Sequence, residues 1–116
     1  MKVIIAGSRS VESYTLVKKA IEASGFEIDV VVSGNAKGVD HWGELYAQQN
    51  RIDLVIFPAN WAKYGKSAGI RRNRMMAHYA NALIAIWDGQ SVGTKHMIEC
   101  AEGLGLKVFV YNASVT

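Results

Sequence analysis

Three short turns carry most of the chemistry open to this sequence. They are Gly7-Ser8-Arg9, Ser33-Gly34-Asn35-Ala36-Lys37-Gly38-Val39-Asp40 and Asp88-Gly89-Gln90-Ser91-Val92-Gly93-Thr94. Each is small and Gly-bearing, and each feeds a helical pattern. Glycine lets the backbone approach a phosphate closely, while a helix N-terminus offers unpaired N–H groups and a positive dipole. One such turn says little, since every α/β protein needs tight turns. Three, after the first, second and fourth apolar runs, point to a phosphate-binding edge, because open α/β sheets bind ligands beyond the carboxyl ends of their strands. The candidate ligand-binding residues here are Gly7, Ser8, Arg9, Ser33, Gly34, Asn35, Gly38, Asp40, Asp88, Ser91, Gly93 and Thr94. No turn matches G-x-G-x-x-G or G-x-x-x-x-G-K-[ST], which disfavours a standard dinucleotide fingerprint and a P-loop ATPase.

Other side chains add to this edge. Arg71-Arg72-Asn73-Arg74 groups three cations and an amide at the start of a short helical pattern. Arg suits bidentate phosphate recognition, though a charge run is equally a solvated surface. Asp40 and Glu44 stand at i and i+4. They read either as an acid/base or ribose-binding pair, or as a brace for the helix start. Trp61 and Tyr64 either stack on a base or pin their loop to the body. His41, His78 and His96 are scattered, and Cys100 has no partner in sequence, so no metal site is expected.

The elements that must position these turns follow from the apolar pattern. Runs at Lys2–Ala6, Ile28–Val32, Asp53–Phe57, Ala82–Trp87 and Lys107–Tyr111 are rich in Val, Ile and aromatics and lack polar alternation. They predict parallel strands buried on both faces. Between them, Tyr14/Val17/Ile21, Val39/Trp42/Tyr46 and Met97/Ala101/Leu104 form helical stripes, and Met75/Met76/Tyr79 suggest a shorter helix. Trp42 and Trp87 read as core. The alternation predicts one α/β domain over residues 1–116. It is a Rossmann-like three-layer sandwich, with a mostly parallel five-stranded sheet and helices on both faces. Pro58–Gly69 reads as one long loop without periodicity, a length that is more often functional than accidental. The tail 112–116 is expected to fray.

Composition narrows the setting. The chain has 116 residues, half of them hydrophobic, which suits a single domain with a real core. Thirteen basic and 10 acidic residues give a net charge of +3. That is compatible with an anionic ligand, but too modest to argue for nucleic acid. The lone Cys100 excludes an internal disulfide and fits a reducing compartment. No run approaches a membrane span, so a cytoplasmic protein without membrane partners is expected. Self-association into a homo-oligomer is also expected, by the usual habit of small domains of this kind.

The same strings resemble a known family. VVSGNAKGVD is similar to the S-G-x-A-x-G-[IV]-D motif of the DNA-processing protein A (DprA/Smf) family. RRNRMMAHYANALIAI resembles its R-N-R-x-x-A segment and the following strand, SVGTKHMIECAEGLGLKVFVY its S-G-T helix and last strand, and the initial GSR also fits. FPANWAKYGKSAGIRRN resembles still more the small YspA/YpsA-related branch of the SLOG superfamily, which unites DprA/Smf with the LOG proteins. The resemblance implies a nucleotide-type pocket. Carried over by position, it involves Gly7, Ser8, Arg9, Ser33, Gly34, Gly38, Asp40, Arg72, Asn73, Arg74, Gly93 and Thr94. LOG-type enzymes cleave nucleoside monophosphates and keep a Glu three residues after the Thr, where this chain has Met97. Glu99 lies roughly 200° around the helix from that position and is expected to point elsewhere. The leading expectation is therefore a binding module or sensor for a nucleotide-type small molecule without a further cofactor, with Trp61 as a base-stacking candidate. The alternatives are a phosphoribohydrolase-like N-glycosidase with Asp40 as the catalytic carboxylate, and single-stranded DNA binding of the DprA kind.

Overall fold

A computed structural model describes residues 1–113 of the chain. The five apolar runs become strands β1 (Lys2–Gly7), β2 (Val30–Ser33), β3 (Asp53–Ile56), β4 (Ala82–Trp87) and β5 (Lys107–Asn112). They form one sheet in the order β3-β2-β1-β4-β5. Every neighbouring pair is parallel, with registers such as Val3↔Val31, Gly7↔Ile86 and Ala82↔Lys107. Helices α1 (Tyr14–Ser24), α2 (Val39–Gln49), α3 (Trp61–Tyr64), α4 (Ala68–Tyr79) and α5 (Val92–Gly103) supply the crossovers, with a 3-10 turn at Gly65–Ser67. The fold is the expected Rossmann-like three-layer sandwich.

Alternate side chains of the central strands point to opposite faces, so each face has its own core. Val3, Ile5, Val31, Ile84 and Ile86 pack under α1 and α2 with Val17, Ile21, Val39 and Ala47. Ile4, Ala6, Val32, Leu83 and Ala85 pack under α4 and α5 with Met76, Ala77, Met97, Ile98 and Ala101. Three helix starts are capped by a side-chain oxygen that accepts an orphan N–H. Ser13 caps Leu16, Asn60 caps Lys63 and Ser91 caps Thr94. Gly25 closes α1 in the left-handed region with φ 69°.

Several sequence expectations need correction. Burial on both faces holds for β1 and β4 but not for the edges. Leu54, Ile56 and Val110 are exposed on the edge strands, where α2 packs on β3 and α5 on β5 without covering these positions. β2 runs one residue beyond the expected Val32 and starts at Val30. The segment 58–69 is not a loop throughout, since it holds α3 and the 3-10 turn. α4 begins at Ala68, so the Arg-Asn-Arg segment lies inside that helix rather than opening it, and Met75 is exposed on it. Leu104 lies beyond α5 and is exposed. In the tail, Asn112 closes β5, and residues 114–116 lie outside the described residues. No described helix is long and apolar enough to cross a membrane.

Candidate functional site

Strands β2 and β3 lie to one side of β1, and β4 and β5 to the other, so the strand order reverses between β1 and β4. The loops leaving two adjacent strands at such a point diverge to opposite faces and leave a crevice. Here that crevice is a cleft of about 840 Å³.

Ser8 ties its walls together. It is 1% exposed, and its Oγ accepts the Asp88 N–H at 3.1 Å, joining the first turn to the last. The Ser8 carbonyl faces Val11 and Val39 N–H groups. Gly38, at φ 75°, approaches so closely that an added Cβ would lie 2.5 Å from this carbonyl. The middle turn is thereby clamped onto the first.

Most of the expected residues converge on the cleft. Gly7, Ser8 and Arg9 line it from the first turn, and Asp40 from α2. Arg72 and Asn73 come from α4, Trp61 from α3, and Asp88, Ser91, Gly93 and Thr94 from the last turn and α5. Others do not reach it. Ser33 is fully buried and donates to Glu44 Oε2 at 2.6 Å. Gly34 lies behind Arg72, whose guanidinium donates to its carbonyl. Asn35 and Gly38 line a smaller cavity of about 450 Å³ beside the cleft. Arg74 is exposed and outside the cleft. Residues two apart on a helix differ by about 200°, so Arg72 faces inward and Arg74 outward. Arg71 stacks on Tyr64, its guanidinium carbon 4.3 Å from the ring centroid.

The carboxylates divide by environment. Asp88 Oδ1 accepts the N–H groups of Gln90 and Ser91, both at 2.8 Å. These bonds, that to Ser91 first, hold its carboxyl below the usual range, and the side chain is spent on bracing the turn. Asp40 is 5% exposed. Burial pushes its carboxyl from an ordinary 3.8 up to about 6, against the Ala36 N–H and the charges of Arg72 and Arg9, with Glu44 adding to the rise. Burial likewise draws Arg72 below its ordinary value, with Asp40 opposing.

This predicts a pH dependence. The folded state holds the Asp40 proton more tightly than the unfolded chain, so ionising Asp40 opposes folding. Stability is lost as pH rises from about 4 to about 6 and is level above. Two pKa units correspond to roughly 3 kcal/mol. Asp40→Asn keeps an acceptor for Ala36 and is expected to remove this loss. Urea unfolding at about pH 4 and about pH 7.5 checks it, and equal pH responses in wild type and variant would refute it.

Met97, where LOG-type enzymes carry their Glu, is 1% exposed and packs into the α4–α5 core. Glu99, expected to point away, is exposed at the cleft rim. Lys66, Lys95 and His96 also line the cleft and were not anticipated. For His96 a signal existed, since it follows Gly93 by three residues and so shares its helix face. Among the described residues, no group of three or more His, Cys, Asp or Glu side chains is placed to hold a metal ion.

Comparison with known proteins agrees with this architecture. The chain is 32% identical to the Gene 61 protein of Mycobacterium phage D29, over 92% of this chain and 93% of that protein. Its fold matches the X-ray structure of DNA processing protein A from Streptococcus pneumoniae with a TM-score of 0.75 and 24% identity. That match covers 94% of this chain but 49% of the other, so this chain spans about half the length of that structure. Residues 1–64 match the family described as YspA, cpYpsA-related SLOG. With more than half of the chain matched, the chain belongs to the YspA, cpYpsA-related SLOG family.

Proposed function

We propose that this protein binds a nucleotide or nucleotide-derived ligand in the cleft between β1 and β4, with a phosphate on the first turn of α5. The observation that carries the reading is that cleft, placed where the strand order reverses and walled by a capped helix N-terminus. Ser91 Oγ takes the Thr94 N–H, while helix geometry leaves the Val92 and Gly93 N–H groups without intrahelical partners. Arg9, Lys66, Arg72 and Lys95 supply positive charge around it. Trp61, 53% exposed in the cleft wall, offers an apolar face for a base. The volume falls in the usual range for small-molecule sites.

Thermal unfolding with AMP, ADP, ADP-ribose and a cyclic dinucleotide tests the reading. A ligand at a hundred times its dissociation constant adds about 2.7 kcal/mol. A stabilising shift with at least one of the four is expected, and no shift with any of them rejects the reading.

One observation favours a second reading, an N-glycosidase of nucleoside monophosphates. Asp40 sits in the cleft wall with its carboxyl at about 6, where it can exchange a proton near neutral pH. Adenine released from AMP, and lost in Asp40→Asn, would establish it. AMP recovered intact would leave binding alone.

A further inference from the structure

A single buried amide governs how α5 meets the cleft. Asn73 is 6% exposed. Its Oδ1 accepts Arg72 Nε–H at 3.1 Å, and a guanidinium can only donate. This fixes the amide's orientation. Its Nδ2 then points to the Gly93 carbonyl at 3.3 Å and to His96 Nδ1 at 3.1 Å. A flipped amide would set donor against donor at Arg72 and acceptor against acceptor at Gly93. An amide nitrogen cannot accept, so His96 Nδ1 is the acceptor, and the neutral ring carries its proton on Nε2.

The Nε2 side of the ring meets only weak competition. Cys100 Sγ is 3.5 Å from Nε2 and 3.8 Å from Nδ1. Such similar distances place the sulfur in line with neither nitrogen, and a thiol is a weak acceptor. His96 lines the cleft three residues after Gly93, about 4.5 Å further along the same helix face.

We propose that His96 is a ligand-contacting residue, that it donates from Nε2 to an acceptor oxygen of the phosphate-bearing ligand, and that Asn73 is the positioning residue that sets its tautomer. The contact rests on the nucleotide reading of the cleft. The tautomer does not. The same amide holds the Gly93 carbonyl, so the ring and the phosphate turn are oriented by one group.

The test has two arms. In the ligand-free protein, the nitrogen NMR shifts of the His96 ring are expected to show Nε2–H. Asn73→Asp replaces the donor by an acceptor and should move the proton to Nδ1. A wild-type ring protonated on Nδ1 overturns the proposal, with no variant needed. In the second arm, AMP affinity is expected to fall about tenfold in His96→Ala and His96→Asn, the order expected for one hydrogen bond to a charged group. It should stay within about threefold of wild type in His96→Gln, whose amide N–H reaches the Nε2 position. Unchanged affinity in His96→Ala overturns the contact. Where AMP does not bind, the same variants are read with whichever of ADP, ADP-ribose or the cyclic dinucleotide does. A wild type that ignores all four overturns the contact together with the nucleotide reading, while an Nε2–H ring in that same protein still confirms the tautomer.

Discussion

Gly93→Leu is expected to leave the protein at least as stable as wild type while lowering AMP affinity about a hundredfold or more. The reason is that the fold does not need this glycine. An added Cβ would meet nothing within 4 Å, and the backbone is not left-handed. Gly93 is the second residue of α5, where glycine costs roughly 0.5–1 kcal/mol against alanine. The empty space beside it is the cleft. With the phosphate on this turn, as proposed, a side chain added at Gly93 meets the ligand rather than the protein. Gly93→Ala should raise urea stability by about 0.5 kcal/mol and lower AMP affinity about tenfold. Two variants that bind AMP like wild type would place the phosphate elsewhere in the cleft.

Gly7→Ala is the opposite case. Its Cβ would fall 2.1 Å from the Ile86 carbonyl oxygen and 2.8 Å from Val39 Cγ2. Both lie in the body of the protein, since Ile86 pairs with Gly7 in the central sheet and Val39 opens α2. Neither can yield without shifting a strand or a helix. Destabilisation of about 3 kcal/mol or more is expected, a large share of a small domain's stability. Gly103→Ala, with nothing near its Cβ and an ordinary backbone, is the control and should be close to neutral. A Gly7→Ala urea midpoint equal to the control's would show that the β1–β4 junction is looser than described.

The sheet was legible in the sequence because a parallel strand under two helix layers has to be apolar on both faces. Ile4 and Ile5, or Leu83 and Ile84, announce this directly. The same rule misled at Leu54 and Ile56, where position in the sheet, invisible in a local run, sets exposure. The cleft was legible through its turns, since glycine and serine there reflect close backbone approach. What escaped was the start of α4. Ser67 gives no cap, as its hydroxyl donates to Tyr64 O and accepts from Arg71 Nε, and a 3-10 turn leads into the helix. Without that start, the helical phase of residues 71–74 was unknown, and Arg72 could not be told from Arg74. The place of His96 was readable from its helical phase with Gly93, but its pairing was not, because Asn73 lies 23 residues away and only tertiary packing joins them.

The β1–β4 junction also bears on how the chain reaches its folded state. It brings together backbone separated by 79 residues, as in the Asn81 N–H bond to the Lys2 carbonyl at 2.8 Å. Contacts this distant in sequence close late and slow folding. A nascent chain that ends after β3 has one wall of the cleft and no α5, so nothing phosphate-bearing can grip it there. A ligand bound as proposed therefore acts only on the finished molecule. It should slow unfolding and leave the refolding rate unchanged, since every step before the junction closes is blind to it.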